Sequence, residues 1–142
     1  MYLTQSIRRA ALINPEGLAT LFANRSRSWA MVAGRIARFA GALRRLGLGA
    51  GDRVGLLSKN RDDYLEWYYA IPWAGGVSVP VNVRWSVQEM AYSLRDTDVR
   101  ILIVDSHFAA AIPSILAAAP SISVVIHAGE EPSPALARVM KN

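Results

Sequence analysis

The spacing of hydrophobic and polar positions at the start of the chain predicts a short helix followed by a strand. Apolar positions recur at helical spacing over residues 6–13, and Asn14-Pro15 ends this pattern because proline disfavours helical backbone in the residue before it. Residues 18–23 predict a strand, and the polar residues 24–26 predict the turn that follows it. We therefore expect two small elements ahead of the main body of the fold.

The next segment, residues 29–46, has the pattern of an amphipathic helix. Ser28 is a suitable N-cap for this helix, and Gly47 suits the left-handed position that follows its last turn. The helix is expected to bury its apolar face and to expose its basic face to solvent. The basic face carries Arg35, Arg38 and Arg45, and the apolar face, at steps of three and four residues, carries Val32, Ile36, Phe39, Leu43 and Leu46.

From residue 53 onward, apolar strands alternate with helical segments. The strands are continuous runs of Val, Ile and Leu, which is typical of strands that are buried on both faces. Their alternation with helices predicts parallel strands joined by right-handed crossovers. We therefore predict an α/β fold of three layers, a mostly parallel sheet with helices on both faces, preceded by the short helix and the strand. The four predicted strands span residues 53–58, 77–81, 100–104 and 122–126.

Local signals define the helix between the first two of these strands. Asn60 is its predicted N-cap, and Asp63 lies at the third helical position, near the positive end of the helix dipole. The helix is expected to run to about Trp73, with Pro72 kinking or loosening its last turn. Gly75-Gly76 then breaks the chain before the next strand.

The two later helices also have recognisable ends. Ser86-Val87-Gln88-Glu89 is a capping box that opens one of them, and Asp96-Thr97-Asp98 closes it. Either Asp105 or Ser106 is the predicted cap of the last helix, which stops before Pro120.

Composition narrows the class of protein. The chain has 142 residues, of which 52% are hydrophobic, enough apolar material for one domain or for part of a larger one. The absence of cysteine excludes disulfides, thiolate metal sites and a cysteine nucleophile. No apolar run approaches the roughly 20 residues of a membrane span and no signal peptide is evident, so we expect a cytoplasmic protein. Residues 128–142 have the composition of a linker-like tail.

Basic residues are concentrated in the first half of the chain. The formal net charge is +5, and residues 1–61 carry eleven Lys and Arg against two acidic residues, whereas residues 62–142 carry five against nine. The helical spacing of the arginines favours solvated helix faces. An anionic surface such as a membrane is the alternative partner, because an interfacial helix has the same pattern. No nucleic-acid-binding motif accompanies the charge, so no nucleic acid partner is expected.

Candidate chemistry is sparse. The glycine-rich run 47–51 follows a helix and precedes a strand, the reverse of a dinucleotide-binding turn, and is interpreted as a helix stop and a turn. His107 and His127 lack metal-ligand spacing, and Asp62-Asp63 is explained by helix capping. We predict no catalytic, cofactor-binding or metal-binding residue in this chain. Four aromatic residues are predicted to pack on the sheet, with the wall of a substrate pocket as the alternative: Tyr64, Trp67, Tyr68 and Trp73.

Two stretches resemble the AMP-forming acyl-CoA synthetases, a family of adenylate-forming enzymes. Gly-Asp-Arg-Val at residues 51–54, followed by an apolar strand and Asn60, is similar to a hallmark of that family. Residues 74–82, Ala-Gly-Gly-Val-Ser-Val-Pro-Val-Asn, continue the resemblance in the same order. Residues 82–86 are more similar to the fatty-acyl branch than to the amino-acid-adenylating branch. Further matching positions are Arg84, Glu89, Tyr92, Leu94 and Asp96, and the departures are Met31, where a glutamate is common, and Pro72.

The resemblance implies a two-step reaction for the complete enzyme. A carboxylic acid, here a fatty acid, would attack the α-phosphate of ATP to give an acyl-adenylate and pyrophosphate, and coenzyme A would then displace AMP. The family's Ser/Thr/Gly-rich phosphate loop with its lysine and its carboxylate for Mg²⁺ cannot be located in this sequence. The resemblance therefore implies that residues 1–142 are the N-terminal, incomplete part of a larger adenylation domain. Such a segment is expected to be inactive alone and to have the rest of the ligase chain as its partner.

Other readings of the sequence stay open. The chain could be a stand-alone, non-catalytic α/β module that binds an anionic surface or a partner through its basic half. It could also be a flavodoxin-like binding domain that reached the same pattern by convergence. Because a parallel sheet cut from a larger domain has an open strand edge, self-association is also expected around the last strands.

Overall fold

The computed structural model describes residues 3–129, which divide into two units. The first unit comprises the residues up to Gly51 together with Asn60–Gly76, and the second comprises Asp52–Lys59 together with the residues from Val77 on. The linker-like tail predicted at 128–142 lies outside the described residues from position 130.

The first unit contains three helices and a two-stranded antiparallel ribbon. Helix α1 spans Gln5–Ile13, strand β1 Leu18–Phe22, strand β2 Arg25–Ser28, helix α2 Trp29–Arg45 and helix α3 Asp62–Ala74. Strands β1 and β2 pair with each other, and α2 packs against both α1 and α3. The core of the unit is formed by apolar side chains of the three helices, among them Ile7, Val32, Ile36, Leu43, Trp67 and Ile71.

Strand β2 is an element that the sequence pattern did not predict. Residues 24–26 were expected to form a turn, but the turn is limited to Ala23 and Asn24, and Arg25 already pairs with Phe22 in the ladder. The pattern was misleading because β2 reads Arg-Ser-Arg-Ser, which has no apolar position to mark a buried face. Arg27 is nevertheless buried, since carboxylates rather than apolar side chains surround its guanidinium.

Helix α2 agrees with its prediction at both ends. The Ser28 side chain accepts a hydrogen bond from the backbone of Met31 at 3.4 Å, and Gly47 has a φ of +89°. The amide of Gly47 donates to Arg44 O and that of Leu48 to Leu43 O, both at 3.0 Å, which closes the helix by a Schellman motif. One position of the predicted apolar face is wrong: Leu46 is 46% exposed because it lies beyond the last helical turn.

Helix α3 begins one residue later than expected for an Asn60 cap. Arg61, with extended backbone, holds the N-cap position without a side-chain cap, so the capping role predicted for Asn60 is wrong. Asp62 and Asp63 lie in the first turn, where the helix dipole favours carboxylates. The helix passes Pro72 and ends at Ala74, followed by Gly75 with a φ of +100°.

The second unit is built on a four-stranded parallel sheet, as predicted. Strands β3 (Arg53–Leu57), β4 (Val77–Pro80), β5 (Val99–Asp105) and β6 (Val124–Ala128) lie in the order β4-β3-β5-β6. Helix α4 spans Val87–Asp96, and a 3₁₀ turn at Ser106–Ala111 leads into helix α5, Ile112–Ala118. The predicted last helix is therefore two pieces.

Burial in the sheet depends on strand position. Both faces of β3 and β5 are buried, with Leu57 and Leu102 packed in a cluster with α4 and α5, and Leu56 and Ile103 equally inaccessible. The strand predicted as buried at 77–81 is instead the outer strand β4, and Val77 is 49% exposed. An apolar run of this length fits an outer and a central strand equally well, so only strand order separates them.

Candidate functional site

The strand order of the second unit defines one place where a ligand site is expected. The chain passes from β3 to β4 on one side of β3 and then returns to place β5 on the other side. In open α/β sheets, ligands bind beyond the carboxyl ends of the strands at such a reversal of strand order. Here the reversal lies between β3 and β5, which end in Leu57 and Asp105.

Polar residues lie at the carboxyl ends of both strands and on the neighbouring strand β6. We call Ser58, Lys59, Asp105, Ser106 and His127 the switch-point cluster. Asp105 Oδ2 accepts hydrogen bonds from Ser58 Oγ at 3.0 Å and from the Lys59 amide at 2.7 Å. Its Oδ1 accepts the amide of His107 at 2.9 Å, so Asp105, one of the two predicted caps, caps the 3₁₀ turn. Asp105 and Ser58 are buried, whereas Lys59 is exposed.

The second part of the switch-point cluster is a hydroxyl and an imidazole. Ser106 Oγ and His127 Nε2 lie 3.0 Å apart. Gly129 lies close to both side chains, because a Cβ at this position would be 2.5 Å from Ser106 Oγ and 2.7 Å from His127 Cε1. Only a residue without a side chain fits there unless Ser106 and His127 shift.

The hydrogen bonds of the switch-point cluster hold the backbone in place, and Lys59 is its exposed cation. Asp105 accepts three protein hydrogen bonds and thereby joins the loop after β3 to the end of β5. No carboxylate orients His127 within the described part of the chain, so Ser106 and His127 do not form a complete nucleophilic triad. Residues 3–129 contain no group of three His, Asp or Glu side chains arranged as metal ligands.

The Gly-Asp-Arg-Val motif has a structural role next to this sheet. Gly51 has a φ of +79°, which favours glycine. Asp52 lies 3.7 Å from Arg100, which follows the first residue of β5. Arg53 Nε donates to Thr97 O at 2.8 Å, and its guanidinium also pairs with Asp98. The motif therefore ties the start of β3 to the end of α4 and the start of β5.

The first unit contains a second polar centre, the arginine–carboxylate cluster. It comprises Arg25, Arg27, Arg35 and Arg61 with Asp62, Asp63 and Glu66. Its arginines come from β2, from α2 and from the N-cap of α3, and its carboxylates all lie in the first two turns of α3.

Hydrogen bonds at short distance hold the arginine–carboxylate cluster. Arg25 binds Asp62 in bidentate fashion at 2.6 and 2.8 Å. Arg27, only 6% exposed, binds Glu66 at 2.7 Å, Asp62 at 2.9 Å and Asp63 at 3.0 Å. Arg35 Nε lies 2.7 Å from both Glu66 oxygens.

The pKa values of two carboxylates in this cluster move in opposite directions. Burial raises the pKa of Glu66 above its usual value, and this effect outweighs the attraction of Arg35 and Arg27. Burial also acts to raise the pKa of Asp63, but hydrogen bonds from Arg61 and Arg27 outweigh it and leave that pKa lowered. Folding therefore favours the ionised form of Asp63 and disfavours the ionised form of Glu66.

The arginine–carboxylate cluster corrects the interpretation of the basic half. Arg35 was assigned to a solvated helix face, but it pairs with Glu66 and Asp63, and Arg27 is buried. Four arginines are thus matched by three carboxylates, so much of the charge that would attract an anionic surface is compensated internally. The stand-alone surface-binding module stays a prediction, with a weaker electrostatic basis.

The other candidate residues have ordinary surroundings. His107 stacks edge-on against Phe108, and Trp67 is buried beside Tyr64 with a centroid distance of 6.2 Å. Tyr68 is 38% exposed, and the Arg8 guanidinium lies over Trp73 at 4.4 Å. The substrate-wall hypothesis for this helix stays a prediction.

The sequence missed the partners in both polar centres. Asp62-Asp63 was correctly placed at a helix start, but the arginines of β2 and α2 that bind it are 28 to 38 positions away in the chain. The one local feature of the sequence that pointed to these ion pairs was the Arg-Ser-Arg-Ser segment at residues 25–28. The contact of Ser58 with Asp105 depends on the pairing of β3 with β5, which sequence spacing does not reveal.

Comparisons with known proteins place these features in a family. A family model described as AMP-binding enzyme matches residues 7–141. The 4-hydroxybutyrate–CoA ligase 2 of Metallosphaera sedula is 41% identical over 69 residues, which are 49% of this chain and 13% of the relative. Feruloyl-CoA synthase of an Amycolatopsis species is 34% identical over 109 residues, 77% of this chain and 22% of the relative.

A solved structure shares the fold over almost the whole chain. The fatty acyl CoA synthetase of Mycobacterium tuberculosis superimposes with a TM-score of 0.82 at 26% identity, covering 98% of this chain and 28% of that one. The chain thus spans 13% to 22% of the length of the two curated relatives. In the described residues, no helix has the length and apolarity needed to cross a membrane.

Proposed function

The chain belongs to the AMP-binding enzyme family, and we propose that it supplies the N-terminal part of the large domain of an acid–thiol ligase. The proposed reaction is the ATP-dependent activation of a carboxylic acid to an acyl-adenylate, followed by transfer of the acyl group to coenzyme A. The observation that carries the proposal is the match over residues 7–141, supported by the shared fold of a fatty acyl CoA synthetase.

In this proposal, the 142 residues provide framework. Arg53 and the arginine–carboxylate cluster bind groups of the chain itself and thereby fix loops and helix ends rather than a ligand. The switch-point cluster fixes the carboxyl edge of β3 and β5, with Lys59 exposed there. The Lys59 ammonium is the cation that a phosphate would meet at this edge, whereas the Lys59 amide already donates to Asp105. ATP, Mg²⁺ and coenzyme A are cofactors of the complete ligase, and the described residues do not fit a Mg²⁺ site of their own.

We propose a fatty acid as the substrate of the complete ligase. The solved relative from Mycobacterium tuberculosis is a fatty acyl CoA synthetase, which supports this class. The curated relatives are named for 4-hydroxybutyrate and for feruloyl-CoA, so a short hydroxy acid and an aromatic acid are the competing classes. A substrate panel for the test therefore contains one acid of each class.

The first arm of the test uses the 142-residue chain alone. Pyrophosphate exchange into ATP is measured with palmitate, 4-hydroxybutyrate and ferulate. We expect no exchange above the rate without enzyme, because the phosphate loop is outside these residues. Robust exchange by the pure chain would overturn the proposal that it is only a framework part.

The second arm uses a chimera. The segment of the Mycobacterium tuberculosis fatty acyl CoA synthetase that aligns with this chain is replaced by residues 3–129. We expect the chimera to activate palmitate, since the grafted segment supplies the same framework. A Lys59→Gln chimera tests the exposed cation of the switch-point cluster, and Lys59→Arg is its charge-matched control. A folded chimera without adenylation of any acid would contradict the assignment.

A further inference from the structure

The first unit contains a cavity with two arginines and no acidic lining. It has a volume of about 580 Å³ and lies between the start of α1 and the ends of α2 and α3. We call it the two-arginine cavity. Its lining residues are Thr4, Gln5, Arg8, Arg44, Pro72, Trp73 and Gly75.

Within residues 3–129, both arginines are held in place by contacts other than ion pairs. The guanidinium of Arg8 stacks over the Trp73 ring at 4.4 Å. Arg44 Nε donates to Ala74 O at 3.2 Å and its Nη2 to Trp73 O at 3.1 Å, so these two carbonyls at the end of α3 are already satisfied. Stacking orients the Arg8 guanidinium and the carbonyls at the end of α3 orient that of Arg44, with no carboxylate among the residues that line the cavity.

Compensation from carboxylates elsewhere in the unit is not available. The first unit has four acidic residues in its described part, and three of them, Asp62, Asp63 and Glu66, are bound in the arginine–carboxylate cluster. The fourth, Glu16, is exposed and does not line the cavity. Arg8 and Arg44 are both exposed, so two accessible positive charges line one cavity without an acidic side chain among its lining residues.

The size and the donors of the cavity indicate the class of anion. Small-molecule sites have volumes of about 300–1,000 Å³, and this cavity is larger than an inorganic ion needs. Thr4 adds a hydroxyl that makes no capping hydrogen bond, at the positive end of the nine-residue helix α1. Two guanidinium groups balance the charge of about −1.5 to −2 that a phosphate monoester carries at neutral pH.

We propose that the two-arginine cavity binds a phosphate monoester, whose oxygens accept hydrogen bonds from Arg8 and Arg44 and whose organic body occupies the rest of the volume. Binding of the monoester is tested without ATP or an acid substrate, so its outcome does not depend on the proposed ligase reaction. The monoester has two possible sources, a soluble metabolite or the headgroup of phosphatidic acid.

The test measures binding of phenyl phosphate to the 142-residue chain by isothermal titration calorimetry, with inorganic phosphate for comparison. Arg8→Gln and Arg44→Gln are expected to weaken phenyl phosphate binding by about tenfold or more. The matched controls are the neighbouring exposed residues, Arg9→Gln and Arg45→Gln, which change the net charge equally but lie outside the cavity lining. They are expected to change the affinity less than about twofold.

Further variants protect the test against a folding artefact. Because Arg44 also binds the end of α3, Arg8→Gln is the decisive variant, and Arg8→Lys is expected to restore part of the affinity. Circular dichroism at the titration temperature verifies that each variant is folded.

A second arm measures sedimentation with phosphatidylcholine vesicles that contain phosphatidic acid. Binding of phenyl phosphate that is lost in Arg8→Gln and kept in Arg9→Gln supports a soluble monoester. The same pattern confined to the vesicles supports the lipid headgroup. Equal losses in Arg8→Gln and Arg9→Gln, or no binding of either probe, would overturn the proposal.

Discussion

Arg27 of β2 donates a hydrogen bond to Glu66 of α3 at 2.7 Å, and both side chains are almost completely buried. The two residues are 39 positions apart, so this contact fixes the ribbon of β1 and β2 on the first turns of α3. Buried ion pairs contribute little when they are compared with apolar residues, but removing one partner is costly because it leaves the other charge buried. The pair therefore makes the first unit sensitive to single substitutions.

Loss of the Arg27 guanidinium is expected to destabilise the chain. Arg27→Met keeps most of the side-chain volume but leaves Glu66 and Asp62 with fewer partners, and we expect a loss of about 3 kcal/mol in the free energy of unfolding. Urea unfolding followed by tryptophan fluorescence measures it, since Trp29, Trp67 and Trp73 all lie in the first unit. The control is Arg38→Gln, an exposed arginine of α2, with an expected change within about 0.5 kcal/mol. Equal effects of the two variants would show that the cluster does not stabilise the unit.

The opposite pKa shifts of Asp63 and Glu66 predict different responses to pH. The pKa of Asp63 is lowered in the folded state, so its stabilising contribution is present above its unfolded pKa and is lost as pH falls through its folded pKa. The pKa of Glu66 is raised in the folded state, so its contribution is present below its unfolded pKa and is lost as pH rises through its folded pKa. At pH 7, Asp63→Asn should therefore destabilise the chain more than Glu66→Gln.

The pH profile provides the check on this pair. Unfolding free energies of both variants are measured between pH 7 and pH 3. The difference between Asp63→Asn and the unchanged chain should shrink towards the acidic end, because Asp63 then becomes neutral as well. A larger loss for Glu66→Gln than for Asp63→Asn at pH 7 would contradict the assigned directions.

Gly55 in β3 is required by close packing rather than by backbone conformation. A Cβ at this position would lie 2.7 Å from Leu94 Cδ2 and 3.0 Å from Leu102 Cδ1, and both leucines are fully buried. Gly55→Ala is expected to cost about 1–3 kcal/mol by overpacking, measured by thermal unfolding. Gly34→Ala in α2 is the matched control, because its Cβ would meet only Arg38 Nη1 at 3.5 Å. That substitution should stabilise the helix by about 0.5–1 kcal/mol, so effects of the same sign would refute the packing argument.

The capping box of α4 links a local sequence signal to a measurable pKa. Ser86 Oγ accepts from the Glu89 amide at 3.3 Å, and Glu89 Oε2 accepts from the Ser86 amide at 2.7 Å. The hydrogen bonds from the Ser86 amide and hydroxyl lower the pKa of Glu89. Ser86→Ala should cost about 1 kcal/mol and move the pKa of Glu89 upward, as followed by NMR of its side chain. Ser93→Ala, inside the same helix, is expected to leave that pKa unchanged.

Elements with short-range causes were predictable. The capping box needs only residues 86–89, and the left-handed Gly47 follows directly from the end of an apolar helical face. The parallel sheet was predictable as well, because continuous Val, Ile and Leu runs alternate with helices. The resemblance of residues 51–54 and 74–82 to acyl-CoA synthetases agrees with the family match.

Features that depend on distant partners were not predictable. Strand β2 has no apolar face, and its arginines are explained only by carboxylates on α3. The exposure of Val77 follows from the place of β4 at the edge of the sheet. Arg61 takes the N-cap position predicted for Asn60, because the backbone of Arg61 is still extended and α3 begins only at Asp62.

The sequence by itself determined the type of most elements and the α/β class, because periodicity, caps and glycine turns act over a few neighbouring residues, and the resemblance of its motifs indicated the family. Tertiary structure alone decided which strands are outermost, which arginines pair with carboxylates and which two line one cavity that has no acidic lining residue. The physical reason is that charge compensation and strand order depend on distances across space, and residues of the arginine–carboxylate cluster that are 31 to 39 positions apart in the chain meet within 3 Å.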